Sequence, residues 1–320
     1  QRYYISISSK NILMQRTLKK SFSFSGVCLH SGKGTNVTVH PAPADTGIKF
    51  KRVDLKTSSE EIIIDATIEN LVKSQLCTSI QNVHGNKVGT IEHLMSAFNG
   101  LGIDNVLIDI DSDEIPILDG SSKPFVDLID QVGIKVLKTP RQIIKVLRPI
   151  MFGDKESYIK LTPAETFSVD YAISYDHSLL NNQRFSIDSI NENSYRELIS
   201  NSRTFGFKED VDMLLERGLI KGGSLNNAIL LDSTGIVNEE ELRHPDEFVR
   251  HKILDLIGDI FLLGRPVEGH FEVFCGGHSL THELLKTITS DQVNWKLIDE
   301  NSSTAHQAIV KSQREISAAI

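Results

Sequence analysis

The stretch HPDEFVRHKILDLIGDIFLLG (residues 244–264) spaces His251, Asp255 and Asp259 four residues apart, while almost every other position from Phe248 to Leu263 is apolar. Pro245 near its start, acidic residues in its first turn and Gly264 at its end are helix signals. At about 100° per residue the three polar side chains fall on one narrow stripe, with Lys252 at its edge. A helix this apolar is mostly buried, and an unpaired buried carboxylate is either costly or driven to its neutral form. Three arrangements satisfy the groups. His251 and Asp255 bond each other while Asp259 caps a neighbouring element. Alternatively, the imidazole and the carboxylate share zinc or another divalent metal. In the third arrangement, a carboxylate orients a histidine from elsewhere in the chain.

The chain around this stretch has 320 residues, enough for two domains of ordinary size. With 40% hydrophobic and 24% charged residues it has the composition of a soluble globular protein. No apolar run approaches the roughly 20 residues that span a bilayer, so no transmembrane segment is expected. Cys28, Cys77 and Cys275 are odd in number and lack metal-motif spacing, which argues against a disulfide framework and for a reducing, cytoplasmic compartment. A net charge of −8 argues against nucleic acid as a partner. No Asp or Glu precedes Asp45, whereas Arg2, Lys10, Arg16, Lys19, Lys20 and Lys33 do. Such a start resembles an organelle transit peptide; the expectation adopted here is a disordered extension, residues 1–14, ahead of a start at Met14.

Alternation on either side of a Gly/Ser/Lys turn in SFSFSGVCLHSGKGTNVTVHPA (21–42) signals a hairpin. Strand and turn patterns continue through EEIIIDATIEN and QLCTSIQNVHGNKVGT. A helix is expected from Thr90 to Asn99, with Thr90 as N-cap and Gly100 and Gly102 as stops. NVLIDIDSDEIPILDGSS reads as a strand and turn, and KPFVDLIDQVGI as a second helix. VLKTPRQIIKVLRPI (136–150), with two prolines and several basic residues, is the expected domain boundary. Beyond it, strands fit MFGDKESYIKLTPA and FSVDYAISYD, a helix fits SYRELISNSRTFGF, and a Gly-rich turn lies in RGLIKGGSLNNAILL. The 244–264 helix, the strand GHFEVFCGGH and the helix SLTHELLKTITSD follow. The fold class is therefore α+β, in two similar domains, 15–138 and 139–300, without a detectable sequence repeat, and with a peripheral tail at 301–320.

A metal site needs further ligands. GTIEHLMSAFNGLG (89–102) puts Glu92 and His93 among Ile91, Leu94, Met95, Ala97 and Phe98, repeating the same oddity. It is not the H-E-x-x-H signature, because the order is reversed and Ala97 stands where a second histidine would be; an exposed first turn with Glu92 favouring the helix dipole is the alternative. GGHSLTH (276–282) places His278 after two glycines at a strand-to-helix junction, where a side chain can meet a ligand. NSRTFGF (201–207) offers the Thr204 hydroxyl beside the aromatic Phe205. Hinge glycine and routine capping explain these last two equally well.

TIEHLMSA, SRTFGF, FVRHKILDLIGD and GGHSLTH, in this order and at these separations, resemble the zinc-dependent UDP-3-O-acyl-N-acetylglucosamine deacetylases of lipid A biosynthesis. GVCLHSGK, LCTSI, GLGIDN, EIPILDGSS and GLIKGGSLNNAI support the resemblance, which runs from about Gln15 to Thr289. It implies helices packed between two sheets, with the active site at the domain junction. His93, His251 and Asp255 would bind one Zn²⁺, leaving one position open. Glu92 would be the general base. His278, held by Asp259, would stabilise the oxyanion and protonate the leaving amine, and Thr204 would donate to the oxyanion. Lys252 would meet the nucleotide-sugar end of the substrate, Phe205 would pack near the sugar, and an insert near 207–230 would form the acyl passage. Met213, Leu214 and Leu215 in that insert also fit an ordinary amphipathic helix. Cys77 would lie near the metal or be a buried structural thiol. The implied reaction removes the N-acetyl group of UDP-3-O-(3-hydroxyacyl)-N-acetylglucosamine, the committed step of lipid A biosynthesis, in a monomer. A catalytically silent UDP-sugar-binding or regulatory protein of the same fold is the alternative, and a zinc hydrolase acting on another N-acyl sugar is a third.

Overall fold

The computed structural model describes residues 13–299. The expected tail 301–320 lies outside the described residues, as does the expected extension apart from Leu13 and Met14. Met14 opens the strand Met14–Leu18, which runs antiparallel to Ile134–Pro140. The described helices are α1 (Glu92–Gly100), α2 (Lys123–Val132), α3 (Glu192–Leu198), α4 (Lys208–Glu216), α5 (Glu247–Ile260) and α6 (His278–Ser290).

Two sheets carry the same pairing pattern. In the first, the central strand Val106–Ile110 has Gly34–Pro41 antiparallel on one side and Ile48–Arg52 parallel on the other, with Phe22–Val27 and Ile63–Asp65 outside them. In the second, Val267–Phe274 has Tyr158–Thr162 antiparallel on one side and Phe167–Ile173 parallel on the other, with Ile150–Gly153 and Gln183–Ile187 outside. One helix precedes and one follows each central strand: α1 and α2 in the first half, α5 and α6 in the second. The halves thus share a topology although no sequence repeat is visible, because strand alternation and helix periodicity constrain polarity far more than residue identity. Val267–Phe274, for example, alternates buried Val267, Phe271 and Val273 with partly exposed neighbours.

α1, α2, α5 and α6 lie between the two sheets. α2 packs on Phe22–Val27, α1 on α2 and α5, α5 on Phe167–Ile173, and α6 on Ile150–Gly153 and α5. Being covered on several sides, α1 and α5 are buried almost all round, including Glu92, His93, His251, Asp255 and Asp259. Their backbones come close together where Gly258 meets the start of α1: a Cβ there would sit 2.0 Å from the Glu92 carbonyl oxygen. Asn99 Nδ2 also donates to Ile257 O across this interface at 2.8 Å.

Two elements differ from expectation. Thr90 does not cap α1: its backbone is left-handed (φ 54°) and its hydroxyl donates to Glu114 Oε1 at 3.0 Å, so the helix begins at Glu92 without a side-chain cap. The helix expected across 194–207 ends at Leu198. Beyond it Arg203 is drawn into a buried pair with Glu247 (Nε to Oε1 2.9 Å), and Phe205–Phe207 becomes a strand parallel to Ile229–Asp232. The long apolar stretch forms α5, followed by a short 3₁₀ turn, Phe261–Leu263, that ends on left-handed Gly264.

Candidate metal centre

α1 and α5 run past each other with their polar residues on the facing sides. Nε2 of His93 lies 3.5 Å, and Nε2 of His251 3.3 Å, from Oδ1 of Asp255. These separations exceed the 2.7–3.2 Å usual for an N–H···O bond. They match the edge of a tetrahedron, roughly 3.3 Å, around an ion bound at about 2.0–2.1 Å. Nδ1 of His251 lies 3.0 Å from the Ser202 carbonyl, which can only accept, so the proton sits on Nδ1 and the Nε2 lone pair faces the cluster. Nδ1 of His93 is buried without a hydrogen-bond partner. The donor set therefore fits a divalent ion better than it fits internal hydrogen bonding.

The other oxygen of Asp255, Oδ2, accepts from Lys252 Nζ at 2.9 Å. Burial would raise the Asp255 pKa, but the neighbouring His251 and the Lys252 ammonium override it and hold the carboxyl well below its usual range. Lys252 thus points into the cluster from one turn of the same helix.

Beside the donor set stands Glu92. Burial pushes its carboxyl up to about 7, against the opposing charge of His278. Its Oε2 accepts from the Thr78 backbone N–H at 3.0 Å, and its Oε1 lies 3.8 Å from His278 Nε2. His278 opens α6 directly after the N-cap Gly277, as the two-glycine motif suggested. Its Nδ1 donates to Asp259 Oδ2 at 2.6 Å. Burial alone would lower the His278 pKa; the Asp259 charge reverses this and raises it to about 10, so the ring carries a proton at neutral pH. Asp259, His278 and His282 also converge closely enough to suggest a metal group. The 2.6 Å contact is a hydrogen bond, however, too short for two ligands of one ion, and this second cluster is a proton-holding group rather than a metal site.

The SRTFGF segment borders the cluster. Thr204 is fixed by backbone bonds to Gly120 O and from Ile229 N, each 2.8 Å. Phe205 packs edge-on against Phe248 at 5.1 Å between ring centroids and lies 6.5 Å from the His251 ring. All nine residues singled out in the sequence thus gather in one region. Cys77 is buried next to it, 3.6 Å from Ser79 Oγ. Thr78, His282 and Ser202 were missed. A histidine four residues after His278 was a visible signal for His282; a threonine just ahead of a strand and a serine lending only its carbonyl give none.

A buried two-histidine, one-aspartate donor set next to a glutamate near neutrality, in a protein of two matched α+β halves, defines a metal-dependent hydrolase. Comparison with known proteins narrows this class. Residues 15–290 match the model of the family described as UDP-3-O-acyl N-acetylglycosamine deacetylase, and the chain belongs to that family. The UDP-3-O-acyl-N-acetylglucosamine deacetylase of Pseudoalteromonas atlantica is 40% identical over 91% of this chain and 95% of its own length. That of Neisseria meningitidis serogroup C is 41% identical over 90% and 94%, and that of Myxococcus xanthus 42% identical over 89% of each.

Proposed function

We propose that this chain hydrolyses the N-acetyl group of UDP-3-O-(3-hydroxyacyl)-N-acetylglucosamine, releasing acetate and the free amine in the committed step of lipid A biosynthesis, with Zn²⁺ held by His93, His251 and Asp255. The observation that carries this reading is the placement of the 3.3–3.5 Å donor set beside Glu92 and His278. It also favours zinc among divalent metals, since a tetrahedral site of imidazole and carboxylate suits it. When bound, zinc supplies Lewis-acid polarisation of the acetamide carbonyl and acidifies the attacking water.

The residues do the rest. Glu92, with a pKa near 7, takes a proton from the water as it attacks. Thr204 donates to the developing oxyanion. His278, already protonated, stabilises that charge and then gives its proton to the departing amine as the C–N bond breaks. Glu92 then loses its proton and His278 Nε2 regains one by exchange with solvent as the products leave, the 3.8 Å between them being too long for direct transfer, and both groups return to their starting states. Asp259 orients the imidazole and keeps it charged.

Lys252 meets the nucleotide-sugar end with the donors that Asp255 leaves free, and Phe205 packs near the sugar. The acyl chain is assigned to the 207–230 insert. Supporting this, α4 buries none of its residues, and Met213, Leu215 and Leu225 are exposed. We assign the domains as 15–138 and 139–300. No described helix is long and apolar enough to cross a membrane; a monomeric, cytoplasmic enzyme without nucleic-acid partners accords with the sequence.

The test is a deacetylation assay with UDP-3-O-acyl-N-acetylglucosamine on the purified protein, after chelation and after zinc is restored. Turnover is expected to fall on chelation and to return with zinc. No turnover by folded, zinc-loaded protein would sink the proposal and leave a silent UDP-sugar-binding protein.

A further inference from the structure

Thr78, 1% exposed, immediately precedes the strand Ser79–Gln81 of a small sheet in the first half. It touches both proton-transfer partners without being an acid or a base. Its backbone N–H donates to Glu92 Oε2 at 3.0 Å, and its carbonyl accepts from Ile91 N at 3.3 Å, so the residue is clamped to the start of α1. Its hydroxyl reaches across to the second half, 2.5 Å from Asp259 Oδ1 and 3.2 Å from both His278 Nδ1 and His282 Nε2.

A hydroxyl has one proton and two lone pairs. The Asp259 carboxylate can only accept, so the Thr78 proton goes to Oδ1. The His278 Nδ1 proton goes to Oδ2, its nearer acceptor at 2.6 Å. A Thr78 lone pair then accepts from His282 Nε2, which lies farther from Asp259 (3.5 Å) than from the hydroxyl. Each oxygen of a carboxylate that is 1% exposed is thereby given a donor.

We propose that Thr78 is a positioning residue for the reaction, with His282 as its support: it fixes one oxygen of Glu92 and one oxygen of Asp259, and so holds the base and the acid in register across the two halves. With Oε2 tied to the Thr78 backbone, Oε1 is the oxygen left facing His278. With Oδ1 tied to the Thr78 hydroxyl, Asp259 cannot rotate away from the imidazole it orients. The device places in the first half a residue that sets the geometry of α5 and α6 in the second.

This inference rests on the deacetylase reading, and the wild-type enzyme tests that reading separately: without wild-type turnover the proposed function fails, whatever Thr78 does. Thr78→Val keeps the shape and the backbone donor to Glu92 but removes the hydroxyl. Loss of such an outer partner is expected to lower kcat about 10–100-fold, with KM within about twofold and zinc content unchanged. Thr78→Ser, which restores the hydroxyl, is expected to recover most of the activity. In an Asp259→Asn background Thr78→Val is expected to cost little more, because the two act through one bond. Thr78→Ala takes the place of Val in the same cycle if the Val variant does not fold. The idea is overturned if the hydroxyl-free variant keeps wild-type kcat, if Thr78→Ser is as impaired as Thr78→Val, if activity falls only in step with zinc, or if the Asp259 cycle is additive.

Discussion

Adding one methyl group at Gly258 sets two physical effects against each other. Inside an exposed helix, Ala in place of Gly is favourable by about 1 kcal/mol, and on that basis Gly258→Ala would stabilise the protein. Here the new Cβ would lie 2.0 Å from the backbone oxygen of Glu92 and 2.9 Å from its carbonyl carbon. A carbon–oxygen contact needs roughly 3.3 Å, so α1 and α5 must part by about 1.3 Å, and backbone cannot swing aside as a side chain can. Overpacking against backbone takes the upper part of the usual range, about 2–3 kcal/mol, which exceeds the propensity gain by about 1–2 kcal/mol. The displacement falls on the proposed metal ligands. His93 follows Glu92 on α1, while Asp255 and His251 precede Gly258 on α5. Ligand distances tolerate only about 0.2 Å, and a misplacement near 1 Å typically costs about 10²-fold in rate. Gly258→Ala is therefore expected to melt about 2–6 °C lower, to retain well under half its zinc by elemental analysis, and to lose about 100-fold or more in kcat/KM. Gly34→Ala, where nothing lies within 4 Å of the new Cβ, is the control and should behave as wild type. A Gly258→Ala protein with unchanged melting temperature, zinc content and kcat/KM would refute the claim that the helix crossing sets the site.

Glu92→Ala is expected to keep zinc and lose about 10²–10⁴-fold in kcat, whereas Asp255→Ala should lose zinc; equal zinc retention by the two would contradict the division of roles. In chelated protein, Glu92 titrates near 7 instead of its usual 4.5, so the folded state holds a proton that the unfolded chain has released. That penalty is absent below about pH 4.5, grows through the window to about pH 7 and persists above it. Glu92→Gln, which removes it, should raise urea stability at pH 8 and not at pH 4.5; equal effects at both would disprove the shift. Glu247 is fully buried and paired with Arg203. Glu247→Ala is expected to cost about 3–5 kcal/mol in denaturant unfolding by stranding that guanidinium, and a loss below about 1 kcal/mol would show the pair to be dispensable.

The residues nearest the chemistry were legible for a local reason. A carboxylate or an imidazole in an apolar helix violates the burial rule within a few residues of sequence, so Glu92, His93, His251, Asp255 and Asp259 announced themselves. His278 was marked by its two glycines. Helix periodicity placed α5 and α2 well, but the ends of other elements were decided elsewhere: Thr90 left its expected cap for Glu114, and the helix after Asn191 stopped where Arg203 was drawn to Glu247.

Sequence by itself determined the α+β class, the two halves, the polar stripe and the family resemblance, because these rest on periodicity, burial cost and motif order, all of which act along the chain. Only the tertiary structure decided that the His251–Asp255 step opens to 3.3 Å, the spacing that supports the proposed ligand pair, while the His278–Asp259 contact closes to 2.6 Å as a hydrogen bond. It alone revealed the matched topology of the halves and the place of Thr78 between Glu92 and Asp259. The physical reason is that a distance between α1, α5 and α6 is set by what packs between and behind them, Gly258 above all, and no residue carries that distance in its own identity.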